Sequence, residues 1–369
     1  MPRTRPGLQD NANSTPANKR ASSMPRRRNT PGGPAAFAAY ANGPGAAPPP
    51  PPRPSKAKAA AAYAFRFVKS PDNWWLLLLL ASAALYAQLL DAALAPKALE
   101  GFAVTGDAKF YRDVVARHAK ARVLVDGLGP LASPVWRAHD DANDLLFAEA
   151  PAQRVWRHED GTGLVRVGAS VFLDATGPLA CVATAELDAL VLCGDQNVVT
   201  VADDGARETL WAGAATAISR GATHVAGERN GTFVVEFRNG TAVAALAAAP
   251  LALAFSPDAK TLYVRTVDAV LALACADSCA EARVFHEADL GEGAGLAVDG
   301  AGRVYATTEN GVAVLAAPEG ALLGTLEVDD TPTGLALATD AHLYVTTAGG
   351  RLLRVPVRRG VRPADVVAS

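Results

Sequence analysis

The sequence is poor in the side chains that most often carry out chemistry. Among 369 residues there are four cysteines, two methionines and six histidines. The histidines form no cluster with metal-ligand spacing, no serine stands in a nucleophile elbow, and no glycine-rich run has the form that cradles a phosphate. These gaps speak against the common zinc hydrolases, serine hydrolases and nucleotide-binding enzymes. Acids are nearly missing from the start of the chain: residues 1–70 hold 12 Lys or Arg against one acid, Asp10. From residue 91 onward the balance reverses, with 23 Lys or Arg against 35 Asp or Glu. The net charge of -2 therefore describes neither half.

What is present falls into five stretches. Residues 1–62 are rich in Pro, Ala and Arg and poor in large apolar side chains. Such a segment buries too little surface to offset chain entropy and reads as a disordered tail. Its basic charge lacks the interleaved aromatics of a nucleic-acid arm, so no nucleic-acid partner is expected. Next comes "NWWLLLLLASAALYAQLL", uncharged between Asp72 and Asp91. With "DAALA" it is long enough for a hydrocarbon core of about 30 Å. Trp74 and Trp75 stand where an aromatic belt would lie, with Arg66 and Lys69 on the leading flank. A single transmembrane signal-anchor helix is expected over 73–95, with the N-terminus cytoplasmic and the rest lumenal or extracellular. An organellar targeting sequence is the alternative reading of the basic start. Residues 97–119 read as a partly helical spacer, "KFYRDVVARHAKARVL" (109–124) being the one clear amphipathic stretch. The body follows over 120–357, and 358–369 form a tail.

The body repeats itself. "VYATTENGVAVLA" at 304 returns 39 positions later as "LYVTTAGGRLLRV", and related strand–turn–strand phrases begin near 145, 190, 231 and 262. Anchored on Phe147, Val191, Phe233, Tyr263, Tyr305 and Tyr344, they leave four intervals near 40 residues and one near 30. Further strands with their own turns precede several copies: "LALAFSPDAKT", "GLAVDGAGR", "GLALATDAH". Three to four strands per unit at this period is the signature of propeller blades. The expected fold is an all-β, six-bladed β-propeller in which each recurring hairpin forms the outer part of one blade.

All four cysteines follow the hydrophobic segment. Cys181 and Cys193 flank a hairpin and would face each other across two strands, while Cys275 and Cys279 bracket a short loop. Two local pairs suggest disulfides, Cys181–Cys193 and Cys275–Cys279, and so an oxidising compartment. Asn230-Gly-Thr and Asn239-Gly-Thr are glycosylation sequons, and their Asn-Gly pairs also read as hairpin turns.

The segments "LASPVWRAHDDANDLLFAEAPAQRVWRHEDGTG", "PLALAFSPDAKTLYV", "GAGLAVDGAGRVYAT" and "PTGLALATDAHLYVTTAGGRLLRVPV" resemble the regucalcin (senescence marker protein)/gluconolactonase family of six-bladed propellers. They are more distantly similar to strictosidine-synthase-like propellers, some of them membrane-anchored. The resemblance implies a divalent cation, Ca or Zn, at the central channel and lactone or ester hydrolysis. It also implies the cation's ligands: a Glu before Pro-Val-Trp, an Asn and an Asp before two Gly-Leu pairs, and an Asn-Asp pair. At those places this sequence has Ala132, Leu251, Ala294 and, near the last, Thr223 and His224. Ala and Leu offer no oxygen, so no metal or other cofactor is expected. The expected role is a membrane-anchored, non-catalytic propeller that binds a small apolar ligand or a protein partner at its channel. The alternative is a Ca- or Zn-dependent lactonase or arylesterase with relocated ligands, for which Asp289 and Glu292, just before Ala294, are the candidate ligands. His224 is the candidate acid–base. Glu149 is expected to hydrogen-bond within its blade.

Overall fold

In the computed structural model, residues 74–364 are described except for loops at 95–96, 139–142, 160–168, 175–176, 185–189, 195–196, 203–205, 220–222, 238–239 and 276–281. The expected disordered tail over 1–62 lies outside the described residues. So does Cys279.

Six antiparallel sheets form six blades. Their first strands are Leu131–Ala138, Cys181–Thr184, Ala214–Ile218, Ala252–Phe255, Leu296–Val298 and Pro332–Leu337. These six strands contact one another in sequence, and the last contacts the first, so they line a central channel. Alternating small and branched side chains let each sheet bury both faces between its neighbours. The result is one hydrophobic cluster per blade–blade interface. Leu146, Val155, Val182 and Leu190 join blades one and two, for example, and Tyr305, Val314, Leu343 and Val345 join blades five and six. Burial is therefore shared around the ring rather than concentrated in one core.

The strand order corrects the reading of the repeat. The phrase at 304 forms Val304–Thr308 and Gly311–Ala316, the second and third strands of blade five, not its outer part. The copy anchored on Phe233 is displaced by one strand, because Thr232–Phe237 is the third strand of blade three and His224–Arg229 the second. Anchoring on Val225 instead gives 191 to 225, or 34 residues, and 225 to 263, or 38. The irregular interval was a change of hairpin, not a short blade. The phrases before each copy are also explained. In blades four, five and six an aspartate ties the turn between first and second strands: Asp258 accepts from Lys260 N, Asp299 from Ala301 N and Arg303 N, and Asp340 from His342 N. Asp299 and Asp340 also accept from the hydroxyls of Tyr305 and Tyr344.

Blades five and six carry a fifth strand each, and both come from the segment expected to be a spacer. Ala103–Gly106 pairs with Ala321–Glu327 of blade five. Lys97–Ala98 pairs with Arg122–Val125, which itself closes blade six by pairing with Leu352–Pro356. The long helix expected over 109–124 is shorter, Ala108–Asp113, started by Asp107 accepting from Phe110 N. Beyond it the β-branched run "RVLV" is captured by the open edge of blade six, where packing outweighs helical periodicity.

Trp74–Leu94 is a 21-residue helix. Among the described residues no helix is long and apolar enough to cross a membrane. The expected transmembrane helix over 73–95 is thus reduced to a helix that turns Trp75, Leu78, Leu79, Leu80, Leu85 and Tyr86 outward, each more than half exposed.

Candidate functional site: the propeller channel

The six first strands all start at one end of the channel. There, Ser133, Cys181, Leu251, Ala294 and Gly334 surround a cavity of about 90 Å³. Ser133 takes a left-handed φ of 46° at a bulge between Ala132 and Val135, so Ser133 rather than Ala132 reaches the wall. Hydrogen bonds within and between blades hold this rim. Ala294 N donates to Thr333 O (2.8 Å), and Leu251 N to Arg265 O (2.7 Å). The Thr333 hydroxyl bridges blades six and one by donating to Leu131 O.

At the other end Trp136, Thr184, Ile218, Phe255, Leu337 and Pro363 line a second cavity of about 150 Å³. The C-terminal segment reaches this end, where Gly300 N donates to Arg362 O and Pro363 bridges to Asp299. Neither cavity has a carboxylate in its wall. Both are small; their lining side chains are mostly apolar, while backbone groups of the strands make the exposed wall more polar than apolar, a setting that suits a small neutral molecule better than a charged one.

His224 follows the end of the first strand of blade three, so it lies at the second cavity's end. The expectation that Thr223 and His224 adjoin Leu251 and Ala294 at one site is therefore corrected. The imidazole is buried between Phe237 and Phe255, with ring centroids 4.5 and 5.0 Å away. Its Nδ1 is 3.0 Å from the Thr223 hydroxyl, and Nε2 has no partner among the described residues. Burial pushes its pKa below the ordinary imidazole value, because the charged form would lose its hydration. Phe255 separates it from the channel wall, an arrangement of a packed core histidine rather than an exposed acid–base.

Asp289 and Glu292 are exposed and line neither cavity. Asp289 accepts from Gly291 N (3.2 Å) and shapes its own turn. Glu149 behaves as expected, accepting from Gly129 N (2.7 Å) and Trp156 Nε1 (2.8 Å) inside blade one. Cys181 and Cys193 form a disulfide directly across two strands, with Cα atoms 4.9 Å apart. Cys275 is also disulfide-bonded. Asn230 is exposed in a tight turn, with φ 52° and Gly231 at 76°, as an Asn-Gly hairpin requires. Asn239 lies outside the described residues.

One residue of this region gave no functional signal in the sequence reading. Arg265 is fully buried and has no carboxylate partner. Its Nη2 donates to Leu290 O (2.8 Å), Gly291 O (3.0 Å) and Thr307 O (3.0 Å). It thereby ties the 288–294 rim loop to blades four and five. Burial lowers its pKa to about 10. The available signal was a lone Arg ending the apolar strand "TLYVR".

A hard cation such as Ca²⁺ takes six to eight oxygen ligands, roughly, from converging side chains and carbonyls. Around the 90 Å³ cavity the only side-chain oxygen is the Ser133 hydroxyl. Among the described residues no three His, Cys, Asp or Glu converge as a metal site. These residues do not fit the cation that the resemblance implies.

The fold and channel define a six-bladed propeller with a gluconolactonase-like architecture. Residues 210–349 match the family model described as SMP-30/Gluconolactonase/LRE-like region. That match spans blades three to six and excludes Ala132. Among solved structures the chain is similar to a gluconolactonase from Xanthomonas campestris, with 20% identity and TM-score 0.61, covering 71% of this chain and 98% of that one. It is similar to a putative gluconolactonase at 19% identity and TM-score 0.58, covering 70% and 99%. It also resembles a luciferin-regenerating enzyme at 13% identity and TM-score 0.54, covering 66% and 97%. At such identities the likeness concerns the fold. No curated protein matches the chain.

Proposed function

We propose that this protein is a membrane-anchored, non-catalytic propeller that holds a small apolar ligand in its channel. One observation carries the reading: Leu251 and Ala294 wall the rim where the family's cation ligands would converge. With the Ser133 hydroxyl as the one side-chain oxygen among the described residues there, too few ligands converge to hold a Lewis acid against a lactone carbonyl. The larger cavity, about 150 Å³, is of the size that admits a benzene-like molecule.

The anchor is the helix Trp74–Leu94, whose outward apolar side chains are unsuited to water. The basic residues before it favour a cytoplasmic N-terminus, and the Cys181–Cys193 disulfide suits a lumenal or extracellular propeller. Alkaline carbonate extraction of membranes, followed by protease protection, tests this part. Retention in the pellet with a protected propeller supports it; release into the supernatant removes the anchor.

Binding of fluorobenzene, followed by fluorine NMR, tests the channel. Saturable binding lost in Ala183→Phe, which fills the larger cavity, supports the reading. Hydrolysis of a lactone or aryl-ester panel that depends on added cation and is lost in Asp289→Ala or Glu292→Ala would replace it with the hydrolase.

A further inference from the structure

Away from the channel, on the outer face of blade six, lies a cleft of about 600 Å³. Its walls are formed by His118, Lys120, Arg122, His342, Arg354 and Pro356, together with two alanines. Five of these eight residues are basic and none is acidic. The clustering follows from strand register. Arg354 lies directly opposite Arg122, and His342 opposite Pro356, two residues along each strand, so all four share one face. Such a row of like charges costs stability in a sheet and is not kept by packing. His118, Lys120 and Arg122 are exposed. Asp340 reaches the group, its Oδ2 lying 3.0 Å from His342 Nδ1 while it also accepts from the Tyr344 hydroxyl.

We propose that this cleft is a binding site for a phosphate-bearing anion, which accepts hydrogen bonds from Lys120 and Arg122 at its mouth, with His118 and Arg354 adding positive charge to its wall. The volume falls in the range of small-ligand sites, about 300–1,000 Å³. Guanidinium and ammonium groups converging in a concave wall match phosphate oxygens in charge and in donor geometry. Two sources share that chemistry. One is a free phosphate compound. The other is the headgroup of an anionic phospholipid, suggested because Ala98 lines the cleft only four residues after the Leu94 end of the apolar helix. The lipid source rests on the membrane anchoring proposed above; the site itself does not.

The test uses the full chain in lipid nanodiscs. Melting of the propeller is followed with pyrophosphate added to phosphatidylcholine discs, and separately in discs containing phosphatidic acid. Wild-type protein is compared with Lys120→Glu/Arg122→Glu, both at exposed positions, and with the milder His118→Ala/Lys120→Ala. The basic N-terminal tail is common to all three. The expected result is stabilisation by at least one probe, with affinity reduced about tenfold or more for each cation removed. A response to pyrophosphate alone assigns a free phosphate compound, and a response to phosphatidic acid alone assigns a headgroup. The proposal is overturned if neither probe shifts the melt or if both variants respond as wild type does. It is also overturned if Arg207→Glu/Arg283→Glu, a control at exposed edges of blades two and four, loses the response equally.

Discussion

The channel and the blade-six cleft are opposites. The channel sits where propellers of this architecture are expected to hold their cation, yet its lining side chains are mostly apolar, and among the described residues no carboxylate lines either cavity. The cleft sits on an outer face where the resemblance implies no site, and five of its eight wall residues are basic. The contrast shows that a propeller's ring of blade–blade contacts does not depend on charge at its axis. Each of the six hydrophobic clusters is local to one interface, so a rim walled by Leu251 and Ala294 leaves the core intact. The cleft's charge lies where the fourth strand of blade six, Arg122–Val125, meets Leu352–Pro356 and the added strand Lys97–Ala98.

The largest effect that would sharpen this contrast is at Arg265, a fully buried cation at the channel rim. Arg265→Ala leaves three carbonyls without their donor and is expected to destabilise the fold by roughly 3–5 kcal/mol. Limited proteolysis should then cut within 288–293. A wild-type melt would show that the guanidinium does not hold the rim. Next in size is the disulfide at the same rim. Cys181→Ala/Cys193→Ala is expected to lower stability by about 2–3 kcal/mol through chain entropy. Equal denaturation midpoints for the pair and the wild type would count against a structural role.

A smaller effect comes from His224. Its folded pKa lies below the unfolded value, so between the two values the unfolded chain binds more protons. Stability therefore rises with pH across that window and is lost as pH falls through the ordinary imidazole value of about 6.5. Urea denaturation at pH 5 and 7.5 should show the decline in wild type and a weaker one in His224→Phe. An identical decline in both would assign it to other groups. The lumenal or extracellular propeller proposed above predicts a glycan on Asn230, the smallest effect on stability. Glycosidase treatment of protein from a secretory host should shift its mass, and an Asn230→Gln/Asn239→Gln variant should not shift. An unshifted wild type would count against that orientation.

Much of the fold was legible because propeller blades write their period directly into the chain. Tyr263, Tyr305 and Tyr344 do mark second strands, and Cys181 does meet Cys193. Register inside a blade was less legible, since strands two to three and three to four of blade three look alike, and only pairing separates Val225 from Phe233. The fate of 97–125 was hidden for another reason: its strands form by adding to edges built some two hundred residues later. For the site, the sequence pointed to the vacated positions through the resemblance, and Leu251 and Ala294 indeed reach the channel. It could not show that a bulge puts Ser133 in place of Ala132, or that His224 lies at the far end behind Phe255. Arg265 and the basic cleft depend on convergence across blades and strands, which no local pattern carries.

The most direct test of the emptied channel is a thermal melt of the full chain with Ca²⁺, Zn²⁺ or chelator. A cation at 100 times its dissociation constant would stabilise the fold by about 2.7 kcal/mol. The expected result is coincident curves for the wild type, with a Ca²⁺ shift appearing once Ser133→Glu, Leu251→Asn and Ala294→Asp are combined. A shift already present in the wild type and abolished by Asp289→Ala or Glu292→Ala would contradict the reading, since it would mean that the channel still holds a metal.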